Sequence, residues 1–202
     1  EAQVVAKLQH PHILPVYDFG EHEGQPYLVM ALLGGGSLAE RIKGSGQMQI
    51  SDAIRILRPL AEALDFAHDQ DIIHRDFKPA NVMFDARGNV YLSDFGLARM
   101  GDSSQLTASA GMVGTPDYMA PDWGKADGVT HAVDIYALGV TLYQMLVGHV
   151  PYRESTPMGV LMAHTAEPIP NIAAERSDLP EGIQDVIDAA HRLKLQPDKD
   201  WS

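Results

Sequence analysis

Apolar residues recur along the chain at two spacings, one typical of β-strands and the other typical of α-helices. Short apolar runs flank turn-rich segments twice, which predicts one hairpin within residues 13–33 and a second from Val82 to Leu92. Helical spacing elsewhere predicts a short helix over 38–41, a longer one ending at His68, one ending near Gly148 and a last one over 183–190. The pattern therefore predicts one α+β domain in which two small hairpins are set in a mainly helical body.

Residues with special backbone chemistry refine these elements. Ser37 is the expected N-cap of the short helix, and Ser51 or Asp52 that of the long one. The core side of the long helix is predicted from its apolar spacing, as Ile54, Leu57, Ala61, Leu64 and Ala67. Pro59 falls inside that helix, where a kink or local break is expected. Residues 101–117 predict a mobile loop, and 151–180 predict mostly irregular chain with a short helix over 160–164.

Composition and charge exclude several classes of protein. The chain has 202 residues, 45% of them apolar, which suits one soluble domain with a real core. Fifteen basic and 27 acidic residues give a net charge of -12, which disfavours binding to nucleic acid. The absence of cysteine excludes disulfides and thiolate metal sites but does not identify a compartment. The 202 residues show no apolar run long enough to span a membrane and no signal peptide. We expect a cytoplasmic location, unless the parent protein is tethered to a membrane through a segment outside these residues. Because a helical pattern is already running at Glu1, the chain resembles a piece of a longer protein.

The stretch HRDFKPAN, from His74 to Asn81, concentrates polar groups between two apolar runs. It enters the second hairpin, and Asp94-Phe95-Gly96 leaves it. Because a two-stranded ribbon brings its ends together, Asn81 and Asp94 should project into the same small volume. Carboxylate and amide oxygens suit Mg²⁺, while Asp76 could orient a hydroxyl and Lys78 could meet developing phosphoryl charge. The DFG tripeptide alone is a weak signal, whereas the six fixed positions of HRD-x-KP-x-N are a strong one.

These motifs resemble those of the eukaryotic-type protein kinases, and within them the bacterial serine/threonine kinases. HRDFKPAN is similar to the catalytic loop and DFG to the metal-binding motif. The resemblance continues in His-Pro at 10–11, Gly-Gly-Ser-Leu at 35–38, Gly114 to Pro121 and Asp134 to Gly139. It implies a protein-kinase-like fold in which residues 1–33 are a remnant of the N-terminal lobe with its strands. Residues 34–202 would then be a mainly helical C-terminal lobe, incomplete at its end.

The resemblance also implies a role for individual residues in transferring the γ-phosphoryl group of ATP to a protein hydroxyl. Asp76 would orient the acceptor hydroxyl, Lys78 would stabilise the transferring group as in serine/threonine kinases, and Thr115 would contact both. Asn81 and Asp94 would hold Mg²⁺. The adenine pocket would be formed by Met30, by the hinge from Ala31 to Leu33, and by Met83 beneath the base.

Other roles implied by the resemblance are regulatory or structural. Arg75 would bind a phosphate on Thr107 or Ser109, placed there by autophosphorylation between two associated copies of the protein. The alternative is that both hydroxyls simply belong to a flexible loop. Glu1 falls at the position of the regulatory helix glutamate. His74 and Phe95 would be structural, and Asp134 would hold the backbone of the catalytic loop, unless it is only the N-cap of its helix.

The match departs from the family in two places. The 202 residues contain neither a glycine-rich phosphate loop nor the strand lysine, so we expect this chain by itself to bind ATP poorly and to be inactive. Asp122 replaces the usual glutamate, and Asp200 replaces the arginine that would pair with it. Two alternatives stay open, a pseudokinase that acts as a scaffold and a small-molecule kinase of the aminoglycoside type. Ala120-Pro121 disfavours the second, because a small-molecule kinase needs no platform for a peptide.

Overall fold

A computed structural model describes residues 8–95, 116–121 and 129–192. Within these ranges the chain forms two antiparallel hairpins and six α-helices. The strands are β1 (Val16–His22), β2 (Gln25–Met30), β3 (Val82–Phe84) and β4 (Val90–Leu92). The helices are α1 (Leu38–Ser45), α2 (Ile50–His68), α3 (Ala132–Val147), α4 (Pro157–Ala166), α5 (Ile172–Glu175) and α6 (Ile183–Arg192). The predicted α+β class, with small hairpins in a helical body, is confirmed.

Both predicted hairpins form, and the second is buried. In β3–β4 the partners are Val82 with Leu92, Met83 with Tyr91 and Phe84 with Val90. The first and last residues of each strand are buried, whereas the middle residues Met83 and Tyr91 are only partly covered. The segment before β1 joins this hairpin through a hydrogen bond from Leu14 N–H to the Leu92 carbonyl, at 2.9 Å. The strands near the start of the chain are thereby tied to the helical body.

The short helix α1 begins where the sequence predicted. The Ser37 hydroxyl accepts a hydrogen bond from Glu40 N–H, and the Glu40 carboxylate accepts one from Ser37 N–H. This reciprocal capping box satisfies two donors that a helix start leaves unpaired. The helix runs to Ser45, one turn beyond the predicted end.

The structure contradicts the expected N-cap of α2 and a local break at Pro59. The N-cap is Gln49 rather than Ser51 or Asp52, since the Gln49 carbonyl already accepts the N–H groups of Asp52 and Ala53 at 3.0 Å. The helix also continues without a break through Pro59. Proline in a helix interior costs about 3 kcal/mol. Burial of the neighbouring Leu57 and Leu60 offsets that cost, because each fully buried leucine contributes about 1.5–3 kcal/mol.

The buried side of α2 is also shifted from the predicted one. Ala53, Leu60 and Ala63 are buried together with the expected Leu57, Leu64 and Ala67. Ile54 is 47% exposed instead. It lines a largely apolar groove of about 1100 Å³ between α2, α3 and α6, to which Ala61 also contributes. Periodicity alone could not separate the two apolar sides of this helix.

Helix α3 is apolar on nearly all sides because it runs through the middle of the helical body. Tyr136, Val140, Tyr143 and Met145 have no exposed surface. The helix ends as predicted at Gly148, which has a left-handed backbone with φ of +91°. A residue with a Cβ is strained in that conformation, so glycine suits the position.

The segment 151–180 is more helical than expected. Helix α4 covers ten residues because Thr156 caps it, accepting a hydrogen bond from Gly159 N–H at 3.0 Å, and Pro157 occupies its first position. Asn171 caps the short α5 in the same way. Several expectations fall outside the described residues: the helical pattern from Glu1 through residue 7, most of the loop predicted over 101–117, and the replacements Asp122 and Asp200. The last two residues of that predicted loop are described, and they belong to a short 3-10 helix, Pro116–Tyr118. Among the described residues, no helix is long and apolar enough to cross a membrane.

Candidate active site

One buried carboxylate holds the backbone of the polar loop, residues 74–81. Asp134 is 1% exposed, and it accepts hydrogen bonds from the N–H groups of His74 and Arg75, both at 2.8 Å. It also accepts one from His68 Nε2 at 2.8 Å. Asp134 lies inside the first turn of α3, and the cap is His131. The alternative in which Asp134 is only an N-cap is therefore wrong.

The contact with Asp134 stabilises an unfavourable turn. Arg75 has a φ of +69°, a left-handed conformation that costs a non-glycine residue on the order of 1 kcal/mol or more. Two charge-assisted hydrogen bonds to a buried carboxylate are strong enough to offset this cost. The turn reverses the chain between the end of α2 and Asp76, so α3 fixes where Asp76 lies.

His74 fills the interior beneath the loop. It has no exposed surface, its Nε2 donates to the Ser93 carbonyl at 2.8 Å, and its Nδ1 accepts from Asp76 N–H at 3.3 Å. The ring also packs against Phe95, with 4.6 Å between centroids. Burial lowers the pKa of His74, against the opposing effect of nearby carboxylates led by Asp134. A neutral imidazole therefore links the loop to the end of β4.

Within the polar loop, two side chains donate hydrogen bonds to the same carboxylate oxygen of Asp76. Asp76 Oδ2 accepts from Lys78 Nζ at 2.7 Å and from Asn81 Nδ2 at 3.1 Å. Asn81 Nδ2 also donates to the Asp76 carbonyl at 2.8 Å, so that end of the amide is fully used. The side chains of Asp76 and Lys78 are 38% and 20% exposed, whereas Asn81 is buried. The loop thus presents Asp76 and Lys78 to an incoming molecule while Asn81 is fixed behind them.

The second hairpin brings Asn81 next to Asp94 through one residue between them. Ser93 donates to the Asn81 carbonyl from its N–H at 2.9 Å and from its hydroxyl at 3.0 Å. The Ser93 hydroxyl also lies 3.3 Å from Asp94 Oδ2. Asp94 has a φ of +62°, which turns the chain away from β4 directly after Ser93. The sequence argument that the ends of the ribbon meet agrees with this arrangement.

Residues expected around adenine lie on β2, on the segment that follows it and on β3. Met30 ends β2 and pairs with Val16, and Met83 occupies the middle of β3. The Ala31 N–H donates to the Pro15 carbonyl at 3.1 Å, which leaves Ala31 only its carbonyl for another molecule. Leu33 is partly buried. Met83 lies close to the polar loop, because β3 follows directly after Asn81. The segment after β2 is joined to β3 by hydrogen bonds between Gly35, Gly36 and Phe84.

Gly35 fixes the distance between the two sides of this region. Its N–H donates to the Phe84 carbonyl at 2.8 Å, and Phe84 N–H donates to the Gly36 carbonyl at 2.9 Å. A Cβ on Gly35 would lie 2.3 Å from the Asp85 carbonyl oxygen, closer than any side chain allows. Glycine is therefore required for the segment after β2 to pair with β3.

Sequence reasoning missed three residues of the site. Gly35 was noted only as part of the Gly-Gly-Ser-Leu motif and without a role, His68 only as the end of a helix, and Ser93 was not singled out. A polar residue on the buried side of a helix end was the available signal for His68. Four proposed site residues, Glu1, Thr107, Ser109 and Thr115, lie outside the described residues.

The fold and this loop define a protein kinase domain. The sequence profile of the protein kinase domain family matches residues 1–195, and the chain therefore belongs to that family. Similar proteins include the serine/threonine-protein kinase PknB of Mycobacterium leprae, which is 40% identical over 195 residues. The serine/threonine-protein kinase PrkC of Bacillus subtilis is 30% identical over 204 aligned residues.

These alignments cover most of this chain but a smaller share of its relatives. They include 94% of the chain with PknB of M. leprae and 98% with PrkC. A probable serine/threonine-protein kinase PknB of Lactococcus lactis is 34% identical over 93% of the chain. The chain spans about a third or less of the length of these relatives. It covers 30% of PknB of M. leprae, 32% of PrkC and 30% of PknB of L. lactis.

Proposed function

We propose that this chain carries the catalytic loop of an enzyme that transfers the γ-phosphoryl group of ATP to a serine or threonine hydroxyl of a protein. The observation that supports this most directly is the cluster of Asp76, Lys78 and Asn81 around one carboxylate oxygen, on a loop held by Asp134. Phosphoryl transfer requires mainly positioning and electrostatic stabilisation. In this cluster a carboxylate can position a hydroxyl and an ammonium group can stabilise negative charge. Membership of the kinase family supports the same reaction.

Asp76 and Lys78 would have different roles in the transfer. Asp76 Oδ2 is occupied by Lys78 and Asn81, so Oδ1 is the oxygen left to accept the hydrogen bond of an acceptor hydroxyl. Asp76 would orient the hydroxyl oxygen toward the γ-phosphorus and take up the hydroxyl proton. As the new O–P bond forms, the bond from the γ-phosphorus to the bridging oxygen of ATP would break, and ADP would leave. Lys78 would balance negative charge on the transferring group, because its ammonium is partly exposed beside Asp76.

Asn81 and Asp94 fit the donor set that Mg²⁺ requires. The Nδ2 end of Asn81 is used by Asp76, which leaves Oδ1 as its metal-binding atom, and Ser93 joins Asn81 to Asp94. Mg²⁺ bound there would neutralise phosphate charge, and phosphate oxygens and water would complete its coordination. Among the described residues, no group of three or more His, Cys, Asp or Glu side chains could hold a metal ion. Because Asn81 and Asp94 supply two ligands, the remaining coordination of Mg²⁺ would come from the nucleotide phosphates and water.

The nucleotide would lie between the segment after β2 and the middle of β3. The carbonyl of Ala31 and the backbone of Leu33 would recognise adenine, with Met30 behind it and Met83 beneath it. Gly35 would keep those two surfaces at a fixed separation. Several further roles stay predictions. They are autophosphorylation on Thr107 or Ser109 with Arg75 as the phosphate partner, a contact of Thr115 with the polar loop, a regulatory role for Glu1, and a cytoplasmic location. The lobe boundary at residue 33 and weak ATP binding by the chain alone also stay predictions.

Substitution Asp76→Asn tests the proposed function. In the intact protein we expect phosphorylation of a protein substrate by labelled ATP to fall by at least about a hundredfold, since the acceptor hydroxyl loses its base. Asp69→Asn, an exposed acid just after α2, should leave the rate within about twofold. Circular dichroism would verify that both variants keep the wild-type fold.

The same assay separates the alternatives. Undiminished phosphorylation by Asp76→Asn would remove Asp76 from its role. Wild-type protein that transfers no phosphate while folded would favour a pseudokinase scaffold. Transfer to small-molecule hydroxyls with none to protein would favour the aminoglycoside type.

A further inference from the structure

A second groove, separate from the polar loop, has an apolar floor. It has a volume of about 870 Å³ and lies between α1, α2 and the turn that joins β3 to β4. Its most buried lining residues are Phe84 and Val90, with Met48 and Ile56 partly covered beside them. None of the residues of the polar loop lines it. The partly covered side chains of Met48 and Ile56 can therefore contact an incoming apolar side chain, with Phe84 and Val90 beneath them and without disturbing the proposed catalytic residues.

Three arginines from three different elements form the rim. Arg41 comes from α1, Arg55 from α2 and Arg87 from the β3–β4 turn. The Arg41 guanidinium carbon lies 3.3 Å from the centroid of the Phe84 ring. Stacking on an aromatic face fixes the plane of a guanidinium and leaves its N–H groups free to point outward. We refer to this feature as the arginine groove.

Acidic groups near the arginine groove leave its charge largely uncompensated. Asp52 lines it and lies 3.3 Å from Arg55, but the two side chains are 50% and 77% exposed, so their pairing is weak. Asp85 directs its carboxylate into its own turn, where it accepts the N–H groups of Arg87 and Asn89. A positive rim on a chain of net charge -12 is a local exception to the surface as a whole.

We propose that the arginine groove binds an acidic linear segment of a partner protein. Carboxylates match the planar fork of arginine, and apolar residues between them would enter the floor. The volume lies within the range of ligand-binding clefts, about 300–1,000 Å³. Nucleic acid fits less well, because the strongly acidic chain repels a long polyanion outside the groove. This proposal goes beyond phosphoryl transfer and does not depend on it.

Fluorescence anisotropy on the intact protein tests the proposal. The probe is a short labelled peptide of alternating Glu and Leu, and its counterpart replaces each Glu with Lys. We expect the acidic peptide to bind and the basic one not to bind. The double substitution Arg55→Glu with Arg87→Glu should weaken binding by at least about tenfold, because it places like charges against the carboxylates. Both positions are exposed, so the fold should tolerate the change.

Arg58→Glu is the matched control. Arg58 is exposed on the same helix, but it lines the apolar groove beside α3 rather than the arginine groove. We expect it to leave the affinity within about twofold, and the double variant to gain affinity for the basic peptide.

Three results would overturn the proposal. The first is no binding of the acidic peptide, and the second is an equal loss of affinity in Arg58→Glu and in the double variant. The third is binding of a single-stranded oligonucleotide that is as tight as that of the peptide and depends equally on Arg55 and Arg87, which would make the groove a general polyanion site.

Discussion

At the scale of single residues, the interior imidazole of His74 makes the site sensitive to pH. Both ring nitrogens are engaged, since Nε2 donates to Ser93 and Nδ1 accepts from Asp76 N–H. A second proton on Nδ1 would break the latter bond and place a charge in the interior. Burial accordingly lowers the pKa of His74 below its ordinary value of 6.5.

The sign of the resulting pH dependence follows from proton binding. As pH falls below about 6.5, His74 becomes protonated in the unfolded chain. In the folded chain it becomes protonated only at a lower pH, so acid favours the unfolded state. The contribution of this residue to stability is therefore present at pH 7 and is lost toward the lowered folded pKa. We expect the melting temperature to decline between about pH 7 and pH 5.5, as measured by circular dichroism.

His74→Gln isolates this effect. A glutamine amide can still donate to the Ser93 carbonyl but does not titrate in this range. The variant should be less stable at pH 7 and should lose less stability on acidification. Parallel curves for the two proteins would assign the acid sensitivity to other groups.

At the scale of elements, local hydrogen bonds at helix starts decide where helices begin. The capping box at Ser37 places α1 directly after the glycines that pair with β3, so it also fixes the segment after β2. Its effect should be measurable because α1 is short and has only two fully buried residues, Leu38 and Ile42.

Ser37→Ala should lower the free energy of unfolding by about 1 kcal/mol, because the Glu40 N–H loses its acceptor. Urea denaturation measures the change. Ser51→Ala is the control, since Ser51 is an exposed residue of the first turn of α2 and not its cap. It should change the free energy by less than about 0.5 kcal/mol. Equal effects of the two substitutions would contradict a capping role for Ser37.

Sequence predicted best those elements whose local signals agree with one another. Ser37 predicted the start of α1, and Gly148 predicted the end of α3. Prediction failed for the buried side of α2, because this helix has apolar residues on two sides and their spacing does not show which side faces the core. It also failed at Pro59, because the burial of neighbouring leucines outweighs the free-energy cost of a proline inside the helix. In the site, the motif order predicted that Asn81 and Asp94 would meet. The bond from His68 to Asp134 joins residues 66 positions apart, and no local pattern encodes such a distance.

At the scale of the whole molecule, one buried guanidinium joins three parts of the helical body. Arg176 follows α5 and donates to the Leu146 carbonyl at 2.7 Å, near the end of α3. It also donates to the Met48 carbonyl at 3.3 Å, in the link between α1 and α2. Two further N–H groups bind the carboxylate of Asp178.

Arg176→Met should lower the free energy of unfolding by about 2–3 kcal/mol, because a buried carbonyl loses its donor while the apolar stem is retained. Asp178→Asn is the control, since that side chain is 61% exposed and its pairing contributes about 1 kcal/mol or less. Chemical denaturation of both variants measures the difference. Similar losses would show that the exposed pair, and not the buried carbonyls, carries the stabilisation.

The carboxylate of Asp134 has a further consequence for how the molecule opens. The amide hydrogens of His74 and Arg75 are both held by this one side chain of α3. They can exchange with deuterium only when the loop separates from that helix, so their exchange should be slow and should occur at a common rate. In an amide exchange experiment, these two hydrogens would report how often the loop that carries Asp76, the proposed catalytic aspartate, separates from α3.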